Sequence, residues 1–175
     1  LRGGATPIWL ASLTQKGRFR LRETEKENSG WVNLQAEQHF STDPPGFLWV
    51  AKIQLAPLVW IEGWDKYSSG HGQMRWNLWS SIPVLRENGD QLDRGALIRY
   101  LAELPWLPTA LRPSQYLRWE AIDAQSAQAT ISHNGCNASM IFHFEKDGRI
   151  SRAECADRPR QVEHGFEPTV WTCYY

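Results

Sequence analysis

The chain has 175 residues, 42% of them apolar, and its 19 Lys+Arg balance 19 Asp+Glu. That length fits one domain over residues 1–175 with a sizeable core, and zero formal charge excludes the basic excess of a nucleic-acid binder. No apolar run approaches the roughly 18 residues of a membrane-spanning helix.

The opening LRGGATPIWLASL lacks an initiating Met and the layout of a signal peptide, so truncation is expected there. GRFRLRE (17–23) then alternates, with Phe19 and Leu21 on one side and Arg18, Arg20 and Arg22 on the other. That is a half-buried strand with a basic outer face. ETEKENSGW reads as a polar hairpin connection turning at Gly30, and NLQAEQHFS (33–41) as a second strand. After the DPPG turn, GFLWVAKIQLA is the clearest strand: Phe47, Trp49, Ala51, Ile53 and Leu55 share a face. Pro57 breaks it. LVWIEGWDKY (58–67) follows, with Gly63 as a bulge or a point of close approach. SSGHGQ turns the chain into QMRWNLW (73–79), where Met74, Trp76 and Leu78 align. Short turns make strands 17–82 an antiparallel meander.

The period then changes. Leu97, Tyr100, Leu101 and Leu104 recur at helical spacing, Asp90 or Asp93 is available as N-cap, and Pro105 closes a helix over 93–104. The exit, ELPWLPTAL (103–111), is an uncharged, proline-stiffened knot after Glu103. Strands resume at YLRWEAI (116–122), SAQATIS (126–132), NASMIFHFE (137–145) and GRISRAEC (148–155), the last after a KDG turn. DRPRQVEHGFEP reads as a polar loop. TVWTCYY (169–175) is a strand that ends with the chain, so sheet residues are expected to be missing there too. Strands therefore fill 116–175. A sheet of roughly eight or nine antiparallel strands curls rather than lying flat. The expected fold is mainly β: a curved antiparallel sheet or half-open barrel, its hollow side plugged by the one helix. Pro105–Leu111 forms the lip, holding Trp106 and Leu107 against the sheet.

GHGQMRWNLWSSIPVL, DRGALIRYLAELPWLPTAL, LRWEAIDAQSAQATI and DGRISRA follow in order the signature of an uncharacterised bacterial family, a domain of unknown function, between Phe47 and Arg152. Its most specific element is E-x-x-W-x-P-x-A-L, here Glu103, Trp106, Pro108, Ala110 and Leu111. The layout of meander, helix and meander also resembles the half-barrel of LolA- and LppX-type lipoprotein carriers. That resemblance implies acyl-chain binding. The chain departs from those carriers in having one clear helix and no lipobox cysteine.

Ten tryptophans spread over the whole chain. Trp49, Trp60, Trp64, Trp76, Tyr100, Trp106, Leu107 and Trp119 are the candidate ligand-binding residues. Such a set forms either a packed core or the wall of an apolar site. Leaving aromatic side chains wet forfeits about 1.5–3 kcal/mol each, so the interior is expected to be either packed or occupied. His39, His71, His133, His143 and His164 show no metal-ligand spacing; His143 is expected to face outward, opposite Phe142 and Phe144. Glu62 shares a face with Trp60 and Trp64, and pointed inward it would need Arg75 or Arg99 as partner. Glu103 is expected to accept from Arg99 at i−4 or from the proline turn. Cys136, Cys155 and Cys173 read as reduced and buried, with Cys155 and Cys173 the better pair should one disulfide form. No G-x-S-x-G and no activated cysteine is present.

The expected function is a non-enzymatic binding or carrier protein for a lipid or acyl chain, without cofactor or metal, near a membrane or in the envelope. Two alternatives stand beside it. One is an enzyme on a small apolar substrate using His71, Glu62 or Asp65. The other is an interaction module with an exposed tryptophan patch.

Overall fold

The structure is a computed structural model that describes residues 8–20, 30–162 and 165–175. The opening seven residues, the connection at 23–29, the expected strand residues Leu21 and Arg22, and His164 lie outside the described residues. The first sheet orders β1 (Leu10–Arg20), β2 (Trp31–Thr42), β3 (Pro45–Ala56), β4 (Val59–Ser68), β5 (His71–Leu78) and β6 (Ile82–Asn88) as neighbours in sequence. The second contains β7 (Leu117–Ala121), β8 (Ser126–His133), β9 (Cys136–Phe144), β10 (Ile150–Val162) and β11 (Gly165–Tyr174), again in simple order. All pairings are antiparallel, and neither sheet closes into a barrel. One helix, α1 (Asp90–Glu103), runs between them, followed by 3-10 turns at Leu104–Trp106 and Pro108–Leu111. It packs on β4 and β5 of the first sheet and on β9 and β10 of the second.

The fold is thus mainly β, with curved antiparallel sheets and, among the described residues, a single α-helix on their hollow side, as the alternation predicts. Several boundaries differ. The eight or nine strands expected in one sheet are eleven in two among the described residues. β1 starts at Leu10, not at 17. β6 was not expected at all: Ile82–Asn88 has no clean alternation and is held by backbone pairing to Gln73–Leu78. The stretch expected as a polar loop from Asp157 to Pro168 is instead the far half of β10 and the start of β11, paired down to Val162 and Gly165. Ladder hydrogen bonds are made by the backbone, so polar side chains do not prevent them. Pro159 and Pro168 are tolerated because there β10 has left β9, paired only over Ile150–Glu154, and the hairpin stands alone.

On the first sheet the inward rows read Phe40, Phe47 and Tyr67, then Gln38, Trp49 and Asp65, then Ala36, Ala51, Gly63 and Trp76. The small residues of the third row leave room for the large one. A Cβ on Gly63 would lie 2.6 Å from Trp76 Cδ2 and 2.2 Å from the Arg75 carbonyl oxygen, so the Trp76 ring lies directly over bare backbone. Inward residues of the second sheet include Ala129, Ile131, Met140 and Phe142, all essentially buried. Because α1 is covered from both sides, it buries Ala96, Leu97, Ile98, Tyr100, Leu101 and Ala102, most of its circumference rather than one stripe.

Gly89, not Asp90 or Asp93, occupies the N-cap position, and no side chain caps the helix. The Asp93 carboxylate reaches back instead, accepting the buried Gly72 N–H at 2.7 Å while its other oxygen lies 3.1 Å from His71 Nδ1. Gly72 is required at that contact, since a Cβ there would lie 2.6 Å from the Leu92 carbonyl oxygen. Asp93→Ala leaves the Gly72 N–H buried without an acceptor, and the expected loss is about 1–3 kcal/mol, read as a lower urea midpoint at unchanged m-value.

Candidate functional site

Between the first sheet, the C-terminal half of α1 and the β10–β11 hairpin lies a hollow of about 770 Å³. Small-molecule sites range over roughly 300–1,000 Å³. The sheet supplies Trp49, Ile53, Ile61, Met74, Trp76 and Leu85. Trp49 and Trp76 meet edge to face at 5.9 Å between ring centroids. The helix supplies Ala102 and Glu103, with Trp106 just beyond, and the hairpin supplies Arg158, Trp171, Cys173 and Tyr175. Tyr175 is fixed by its hydroxyl, which donates to the Ala102 carbonyl at 2.5 Å. Phe19, Val84, Trp106 and Tyr174 also line the hollow and are exposed at its rim.

A chain of polar side chains crosses the sheet side of this hollow. Trp49 Nε1 donates to Gln15 at 2.8 Å, Gln15 donates to Gln38 at 3.0 Å, and Gln38 donates to Glu103 Oε2 at 2.5 Å. Arg99 then joins both carboxylates, Nε to Glu103 Oε1 at 3.0 Å and Nη1 to Asp65 Oδ2 at 2.5 Å. Its guanidinium lies 4.9 Å from the Phe47 and Trp49 ring centroids. Burial pushes the carboxyls of Asp65 and Glu103 above their ordinary values, outweighing the opposing pull of Arg99 on each. Asp65 Oδ1 is buried with no hydrogen-bond partner.

Arg158 enters the hollow because β10 is irregular. Cys155 pairs with Trp171 but Arg158 with Thr169, so β10 carries one extra residue between them. Strict alternation from Ala153 and Cys155 would aim Asp157 inward; the bulge exchanges the faces. Asp157 stays outside the lining of the hollow and meets Arg94 of α1 at 2.6 Å, while the Arg158 guanidinium lies 4.1 Å from the Trp171 ring centroid.

Of the residues singled out by sequence, Trp49, Trp76 and Trp106 line the hollow. Tyr100 and Leu107 are buried core; Tyr100 packs on Phe40 and donates its hydroxyl to the Ser41 carbonyl. Trp119 packs on Phe142 and Phe144 of the second sheet and donates to the Leu111 carbonyl. Trp60 and Trp64 are placed on the outer face, because Ile61, Gly63, Asp65 and Tyr67 point in. Glu62 goes outward with them and meets Lys52 at 3.6 Å and the Ser80 hydroxyl, not Arg75 or Arg99. Glu103 does pair with Arg99 at i−4. Arg158, Trp171 and Tyr175 escaped sequence reading, although the run of aromatics after Pro168 marks the last two.

Two other concavities are weaker candidates. A cleft of about 530 Å³ on the outer face is lined by mixed charges such as Lys16, Glu37, Lys52 and Glu62. A polar corner joins His71, Asp93 and Cys136. His133 is buried against Tyr67 and Tyr116, and burial pushes its pKa below the ordinary 6.5. The three cysteines are free, and burial raises each thiol, so none is held as a ready thiolate. Among the described residues no three His, Cys, Asp or Glu side chains gather to hold a metal ion, and no helix is long and apolar enough to cross a membrane.

No curated protein and no solved structure matches the chain. The sequence model of a family of unknown function (DUF6920) matches residues 2–175, well beyond the run from Phe47 to Arg152 that carries the resemblance. The chain belongs to that family.

Proposed function

We propose that the protein binds an apolar or amphiphilic small molecule, an acyl chain being the simplest occupant, in the hollow between the first sheet, α1 and the β10–β11 hairpin. One observation carries this reading: about 770 Å³ of space walled by Trp49, Trp76, Trp106 and Trp171. Water gains little from such walls, whereas each methylene of a guest removed from water contributes about 0.8 kcal/mol. About ten of them amount to roughly 8 kcal/mol before ordering costs, which is the scale of a micromolar Kd. The exposed side chains at the rim give a greasy guest a path in.

The enzymatic alternative would be favoured by any two of His71, Glu62 and Asp65 meeting at the base of a pocket. His71 is at the exposed corner with Asp93, Glu62 is on the outer face, and Asp65 is bound to Arg99 in the hollow.

Native mass spectrometry of purified protein, with organic extraction, tests the binding reading together with titration by the neutral fluorophore N-phenyl-1-naphthylamine. An acyl guest or a saturable fluorescence rise is expected; a protein that carries neither contradicts the proposal. Ile61→Trp should fill the hollow from the sheet side without touching the Arg99 network, weakening fluorophore binding at least about tenfold (roughly 1.4 kcal/mol) while the unfolding midpoint holds.

A further inference from the structure

Resting on that reading, a second question is what end of the guest the hollow recognises. Four charged side chains face it: Asp65, Arg99, Glu103 and Arg158. Arg99 is already paired with two carboxylates, Asp65 and Glu103. Arg158 is not. Its Nε is buried without a hydrogen-bond partner, and it makes no hydrogen bond or ion pair with any described residue. The face of the Trp171 ring lies 4.1 Å from it, and the Asp65 carboxylate attracts it without a direct hydrogen bond.

A half-buried guanidinium with donors to spare is costly unless something accepts from it. The β10 bulge makes the placement more telling. It takes the acidic neighbour Asp157 out of the hollow and brings the cation in, the re-aiming of a side chain that bulges produce beside binding sites.

We infer that Arg158 anchors the head group of the guest, and that this guest is an amphiphile with one carboxylate, such as a long-chain fatty acid. A planar carboxylate matches the guanidinium fork in two parallel hydrogen bonds. Its chain would then run along the Trp49–Trp76 wall. The charge count favours one negative charge over two, because Asp65 and Glu103 already face the same space and would repel a dianionic phosphate.

The test is displacement of N-phenyl-1-naphthylamine by hexadecanoic acid, its methyl ester and hexadecyl phosphate, on the wild type and on Arg158→Met. The wild type is expected to take the acid about ten- to a hundredfold more tightly than the ester, the scale of a charged hydrogen bond. Arg158→Met should erase that preference and leave ester binding within a few-fold of the wild type. Equal affinity of the wild type for acid and ester, or a preference surviving in Arg158→Met, overturns the anchor while leaving apolar binding intact. Tighter binding of the alkyl phosphate overturns the choice of a carboxylate. Failure of every ligand and of the fluorophore overturns the binding reading itself. Should Arg158→Met not fold, the acid-to-ester ratio on the wild type decides alone.

Discussion

Arg99→Met is expected to destabilise the protein by about 3–5 kcal/mol, the cost of leaving buried charges without their partner. Arg99 holds Asp65 and Glu103 from one position on α1, and all three side chains are less than one-fifth exposed. Glu103 is in turn the terminus of the Gln15–Gln38 chain, so its release loosens the sheet side as well. The loss depends on pH with a definite sign. Burial raises both carboxyls above their unfolded values, so between the unfolded and folded pKa the native state holds the extra protons. Their contribution to stability therefore falls as the pH climbs from the ordinary carboxylate range through the raised value. Removing Arg99 removes the cation opposing that rise, so the deficit relative to wild type should be smallest in acid and grow toward neutrality. Urea midpoints over an acid-to-neutral series measure it. A deficit independent of pH would mean that the carboxyls are not the source. Adding Asp65→Asn and Glu103→Gln to Arg99→Met should restore much of the loss, since the two carboxylates that Arg99 held are then neutral.

Gly63→Val should rank second, at about 3 kcal/mol, the upper end of an overpacked site. The first carbon of the new side chain would already overlap the Arg75 carbonyl oxygen and the Trp76 ring. Trp76 can swing away only into the hollow, and the backbone oxygen moves only if β4 and β5 part. Both outcomes spoil the Trp49–Trp76 wall. The variant should show a lower urea midpoint, an altered tryptophan emission spectrum and weakened fluorophore binding. Gly63→Ala should show the same changes in smaller degree. An unchanged spectrum would place Trp76 elsewhere.

How far the site was legible can be seen strand by strand. In β3 the alternation leaves one choice: Phe47, Trp49, Ala51 and Ile53 are apolar, Lys52 and Gln54 are not, and the inward face follows. β4 is different. Trp60 and Trp64 on one face compete with Ile61 and Tyr67 on the other, and a glycine and an aspartate weaken the second set. Sequence favours the tryptophans. The structure turns them out because the inward row needs the space above Gly63 for Trp76 and needs Asp65 for Arg99. A period of two makes such a choice all or nothing, so Glu62 moved to the wrong face with its neighbours. The helix was legible in its spacing, but its burial on both sides comes only from the second sheet.

Sequence alone determined that this is an antiparallel β protein with one helix, where most strands lie, and that Trp49, Trp76 and Trp106 are available to an apolar interior. Those features follow from local periodicity, which each segment carries by itself. Tertiary structure decided the division into two sheets, the inward face of β4 and the network centred on Arg99. It also decided the entry of Arg158 through a one-residue bulge. Each of these depends on which distant side chain fills a given space or meets a given charge, and no local pattern records that.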